Sequence, residues 1–101
     1  MEQEEKTTIE LDFTAVPVEN EIDKVEMLDL SKGIGNYIHR QTDDIGMDEK
    51  AREVYHSGKA SFTFEETETI IAWVRQSNMP AFVRLAVVKY INGKQQTYGN
   101  N

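Results

Sequence analysis

Residues 61–92 read SFTFEETETIIAWVRQSNMPAFVRLAVVKYIN, the densest apolar stretch of the chain and the one that holds its single Trp. Thr63 and Glu66 have the spacing of a capping box. The Thr hydroxyl can accept from the Glu66 N–H while the carboxylate reaches back to the Thr63 N–H. Glu65, Glu66 and Glu68 fall in the first turns, where the positive end of a helix dipole favours acids. Ile70, Ile71 and Val74 then recur at helical spacing, and Trp73 widens the stripe. Ser77 and Asn78 interrupt it, and Pro80 suits the first turn of a new helix. The spacing predicts a helix pair over 64–76 and 80–91, with Gly93 as the stop of the second.

Within 81–91 only Arg84 and Lys89 are charged. A helix without a polar face is expected at the centre of a core. The same run is rich in β-branched residues, and Asn92-Gly93 between VVKYI and KQQTY is a hairpin signal. Pro80 and the length of the apolar run favour the helix, with a strand over 82–91 as the alternative.

Upstream, Thr8 to Ala15 alternates strictly, with Ile9, Leu11, Phe13 and Ala15 on one face. This reads as a half-buried strand that ends, or lies at an edge, at Pro17. Val18 to Asp23 reads as an acidic turn region. Such a strand needs a partner for its backbone groups. Lys24-Val25-Glu26-Met27, the Ala60–Phe64 segment or another protein chain could serve. Asp29 is the expected N-cap of a helix from Leu30, whose face is Leu30, Ile34, Tyr37, Ile38 and Gln41. Gly33 and Gly35 on it are read as room for a packed neighbour. A further helix is expected from about Met47 to Ser57, closed by Gly58, with Lys59 to Phe62 extended after it. The expected fold is mainly α with an N-terminal β-hairpin or strand (α+β): about four short helices around one small core. Residues 1–7 read as a flexible acidic lead, 8–93 as a single globular domain and 94–101 as a flexible polar tail.

A chain of 101 residues is the length of one domain. It has no cysteine, which excludes disulfides, thiolate nucleophiles and Cys-based zinc sites. The opening MEQEEK lacks the basic and apolar regions of a secretory signal, and no apolar run is long enough to span a bilayer. A cytoplasmic protein without membrane contact is expected. The net charge of −7 is unevenly placed: residues 1–30 hold ten acids and two lysines, and no acid follows Glu68. Arg75, Arg84, Lys89 and Lys94 therefore stand as a candidate basic contact surface, and the acidic N-terminal arm as its counterpart.

Catalytic and ligand chemistry finds little footing. Ser31 to Asn36 has Gly33 and Gly35, but Ile38 stands where a dinucleotide loop needs its third glycine. Near Gly58-Lys59, Ala60 and Glu53 occupy positions that a phosphate loop reserves for a hydroxyl residue and a glycine. Asp43, Asp44, Asp48 and Glu49 miss the calcium-loop spacing and its central glycine. His39 and His56 sit on different predicted helices with no third ligand at a metal-site interval. His56 and Ser57 are sequence neighbours and do not face each other on a helix. The pair over 64–91 has the outline of a helix-turn-helix, yet its second helix is too apolar for a groove and the chain is acidic.

Residues 28–38 (LDLSKGIGNYI), 42–46 (TDDIG) and 51–58 (AREVYHSG) resemble small uncharacterised proteins of prophages and mobile elements, over about residues 25–90. That resemblance implies a short accessory protein of a phage-type gene cluster, and no residue role. The expected function is a non-enzymatic protein-interaction or assembly factor, without cofactor or metal. Its contact is the Ile9, Leu11, Phe13 strand, and its partner another protein or a second copy. The alternative is a nucleic-acid-associated regulator using the 64–91 helix pair, although nucleic acid is not the expected partner.

Overall fold

The computed structural model describes residues 8–99, and the acidic lead expected over 1–7 lies outside them. Four strands and four helices follow in an α+β order among the described residues: β1 (Ile9–Asp12), β2 (Val16–Glu21), β3 (Lys24–Leu28), α1 (Ser31–Gln41), α2 (Ile45–Ser57), β4 (Lys59–Phe62), α3 (Phe64–Arg75) and α4 (Ala81–Gly99).

β1 follows its alternation, with Ile9, Leu11 and Phe13 turned into the core. Its ladder partner is β4, antiparallel, with Ile9 opposite Phe62 and Leu11 opposite Ala60. Of the partners that the sequence left open, the distant segment is the one used. The local hairpin forms one step later, between β2 and β3, with Val16 opposite Leu28 and Val18 opposite Glu26. Phe13 joins the two ladders: its N–H donates to the Gly58 carbonyl at 2.9 Å and its carbonyl accepts from the Leu30 N–H at 2.8 Å.

Two expectations are corrected here. The alternation does not run on to Ala15. The Asp12 carboxylate accepts from the Thr14 N–H at 3.0 Å and the Thr14 hydroxyl at 2.6 Å, and the chain turns there. An Asx turn of this kind resets the strand's phase. Ala15 is therefore exposed, while Val16 and Val18 are buried. The region expected as an acidic turn is β2. Pro17 is tolerated there because, among the described residues, β2 pairs with β3 alone and its other edge has no ladder bond for the missing N–H to break, while Val16 and Val18 face the core. The turn itself is confined to Ile22–Asp23, where Asp23 takes φ 67°, a conformation that Asp visits more easily than most residues.

α1 starts at Ser31, and Asp29 does not cap it. Its carboxylate instead accepts from the Ser31 N–H at 3.0 Å and hydroxyl at 2.6 Å, in the turn before the helix. α2 is capped by Asp44, which accepts from the Met47 N–H at 2.9 Å, and ends on Gly58 at φ 91°. The two helices pack closely because Gly35 has no side chain: a Cβ there would stand 2.9 Å from both the Ala51 carbonyl and the Tyr55 nitrogen of α2. α3 has the full capping box, with Thr63 N–H to Glu66 Oε1 at 2.9 Å and Glu66 N–H to Thr63 Oγ1 at 3.1 Å.

α4 departs most from expectation. Residues 82–91 are helical, but Gly93 does not stop the helix, which continues to Gly99. Much of the segment expected as a polar tail is thus ordered helix. Gln95 pins it: the side-chain amide donates to Thr67 Oγ1 at 2.9 Å and to Glu68 Oε2 at 2.7 Å, and both Thr67 and Gln95 are buried. Nor is α4 buried all round. Val87 and Ile91 are fully enclosed, whereas Phe82 and Leu85 face outward. Strands and helices share one core, in which Leu11, Phe13, Ile38, Val54, Phe62 and Val74 are wholly buried. Each such side chain contributes about 1.5–3 kcal/mol relative to its exposed form.

Candidate functional site

The side chains expected to form a contact strand belong to the core. Ile9, Leu11 and Phe13 all point inward, and one edge of β1 is filled by β4. At the other edge the Tyr90 hydroxyl of α4 accepts the Asp12 N–H at 2.8 Å. A contact through these three side chains would require unfolding.

A polar cleft of about 170 Å3 lies between α1 and α2, lined by Asn36, His39, Arg52, Tyr55 and His56 over the floor of Gly35 and Ala51. It brings together the two histidines that sequence spacing keeps apart. The crossing of the helices at Gly35 is what does so, and no linear pattern reports it. His39 Nδ1 pairs with one Asp48 oxygen, and Arg52 Nε donates to the other at 3.1 Å. The hydrogen bond from His39, then that from Arg52, holds the Asp48 carboxyl below its ordinary range against the opposing effect of desolvation. Among the described residues, the cleft lining includes no Ser, Thr, Cys or Lys. No group of three or more His, Cys, Asp or Glu is placed to hold a metal among the described residues. Asp48 acts as a tie between α1 and α2.

The four basic residues are divided between surfaces. Arg75 and Arg84 share a shallow cleft with Ala81, Leu85 and Val88, and an Arg84 guanidinium nitrogen donates to the Arg75 carbonyl at 3.2 Å. Lys89 lies around the helix in a second groove. Lys94 stands over the Tyr90 ring, 5.6 Å from its centre.

That second groove is an apolar feature of the surface that α4 helps to form. It has a volume of about 260 Å3 and runs between the hairpin and α4. Pro17, Val25, Phe82 and Leu85 line it, with Glu19 and Lys89 as its charged members. Met27 stands opposite Pro17 in the hairpin and so shares the same outward face. Val25, Met27, Leu85 and Phe82 are 66%, 62%, 59% and 40% exposed. Leu85 also borders the cleft of Arg75 and Arg84, so the apolar ridge of α4 carries cations along one flank.

No protein-family model matches the chain, and no curated protein or solved structure matches it.

Sequence reasoning missed the hairpin face. The alternation Lys24-Val25-Glu26-Met27 marks a strand but does not say which parity faces in. Here Glu26 shares a face with buried Val18, and Val25 and Met27 face out. Among the described residues no helix is long and apolar enough to cross a membrane.

Proposed function

We propose that this chain is a non-enzymatic interaction protein that contacts its partner through the outer face of the β2–β3 hairpin and the adjoining ridge of α4. The observation that carries this reading is the joining of Val25, Phe82 and Leu85 in one groove, with large apolar side chains open to solvent. Contiguous exposed apolar surface of this kind marks binding sites, and a partner that covers it gains about 25 cal/mol per Å2 of apolar area buried. Glu19 and Lys89 supply charges that fix orientation. A short accessory or assembly factor, as the resemblance to small phage-type proteins implies, is the kind of protein that such a surface suits.

The test is a photo-crosslinking amino acid placed at Leu85 in cells, with Ile45 as the control. Ile45 is 79% exposed at the start of α2 and lies outside the groove lining. The reading expects a discrete adduct from Leu85 that disappears with Phe82→Glu and is absent from Ile45. Equal adducts from both positions, or none from Leu85, would overturn it.

A further inference from the structure

We infer that the outer edge of β3 pairs with β3 of a second copy, antiparallel, about a two-fold axis that passes through Val25. This deepens the interaction reading above, and rests on it, by naming one occupant of the hairpin.

β3 is an edge strand whose first four residues are all exposed, and among the described residues its ladder partner is β2 alone. Proteins commonly guard such edges with proline, a bulge or charges that repel a second strand. In this hairpin the proline and the register irregularity both fall on β2, at Pro17 and between Glu19 and Glu21. β3 carries neither.

The hairpin register decides which backbone groups β3 offers. Pro17 has no N–H, so it cannot exchange two hydrogen bonds with Met27, the residue opposite it. The exchanged pairs therefore fall at Val16–Leu28 and Val18–Glu26, and the N–H and C=O groups of Val25 and Met27 point to the outer edge. An antiparallel mate centred on Val25 uses the outward groups of Val25 itself. Val25 exchanges two N–H···O bonds with Val25 of the second copy.

The same axis sets the charges. Lys24 falls opposite Glu26 of the second copy, and by symmetry Glu26 falls opposite its Lys24. Opposite charges directly across a ladder attract, whereas like charges repel. An axis moved by one residue, onto Glu26, would set the two Glu26 carboxylates against each other. Of these two registers, the charge pattern favours the one centred on Val25. The present partners of these side chains are weak and local: Lys24 lies 3.6 Å from Glu21, and Glu26 accepts from the Asn20 amide at 3.2 Å, all on the exposed hairpin. The four-stranded sheet β2-β3-β3-β2 that results aligns Val25 and Met27 of both copies on one apolar face, in the isologous manner of a C2 contact.

Light scattering on the full chain at high micromolar concentration tests this. The wild type is expected at twice the chain mass. Lys24→Glu sets an acid against each Glu26 and should halve the mass. Glu26→Lys sets a cation against each Lys24 and should halve it too. An equimolar mixture of the two variants should return to the doubled mass, because only the mixed pair has opposite charges in both rows. Unchanged circular dichroism confirms that each variant is folded. A wild type at single-chain mass overturns the inference, and so do single variants that stay dimeric or a mixture that stays monomeric. A monomeric wild type that still gives the Leu85 adduct removes the second copy but keeps the interaction reading. A monomer without the adduct removes both.

Discussion

The phenolic oxygen of Tyr90 accepts the backbone N–H of Asp12 at 2.8 Å, so α4 closes the edge of β1 that β4 leaves open. The Tyr90 ring also meets Phe13, with centroids 5.7 Å apart. Tyr90→Phe keeps the ring and removes the acceptor. Leaving this half-buried donor unpaired is expected to lower unfolding free energy in urea by about 1 kcal/mol. An unchanged midpoint would mean that water reaches this edge.

Tyr90 also predicts an alkaline response. Burial, its largest cause, raises the phenol above its ordinary value of 10.0. The folded protein therefore keeps this proton longer than the unfolded chain does. The resulting stability is complete below the unfolded phenol's titration and is lost as pH rises through the folded one. Thermal melts above pH 10 should fall less steeply for Tyr90→Phe than for the wild type.

Gly93 lies inside α4 with open space around it. Gly93→Ala should raise stability by about 1 kcal/mol, since a helix interior favours Ala. A helix that ended there on a left-handed glycine would respond with the opposite sign. Melting temperature decides between the two.

Gly33 and Gly35 make a matched pair on α1. Among the described residues nothing lies within 4 Å of a Cβ at Gly33, whereas one at Gly35 would stand 2.9 Å from α2 backbone atoms. Gly33→Ala should stabilise by about 1 kcal/mol. Gly35→Ala should destabilise by ~1–3 kcal/mol, as overpacking does. Equal effects in denaturant titrations would show that the helices separate freely.

Asp48 titrates below its ordinary value because His39 and Arg52 bind the carboxylate. Its contribution is present above the unfolded carboxyl value of 3.8 and is lost as pH falls through the lower folded one. Asp48→Asn should lower the melting temperature at neutral pH and flatten its decline below pH 4. A wild-type acid limb that the substitution leaves unchanged would remove Asp48 as the tie.

Much of the helical plan can be read from the chain. The Thr63–Glu66 box, the Gly58 stop and the apolar spacing of Ile70, Ile71 and Val74 are local signals, and the structure keeps them. The strand pairing was less legible because a ladder partner is chosen by tertiary fit: β1 alternates equally well whichever segment it joins. The Asp12–Thr14 turn hid the phase change that buries Val16 and Val18. Gln95 looked like tail because its value lies in Thr67, on another helix. The candidate surface was hidden for a similar reason. Leu85 lies on a helix expected at the centre of the core, and the alternation around Val25 does not say which parity faces in; both are exposed.

The pairing of β1 with β4 shapes how the chain is made. The hairpin β2–β3 and the helices α1 and α2 join residues close in sequence and can form as they leave the ribosome. β1 must wait for Lys59–Phe62 to emerge, and then for Tyr90, which lies 78 positions beyond Asp12. Contacts that close long loops are slow to form, and chains awaiting them expose strand edges and apolar side chains. A nascent chain halted before α4 would hold Leu11 and Phe13 on a half-covered ribbon. Chaperone demand during synthesis should therefore concentrate on its earliest strand.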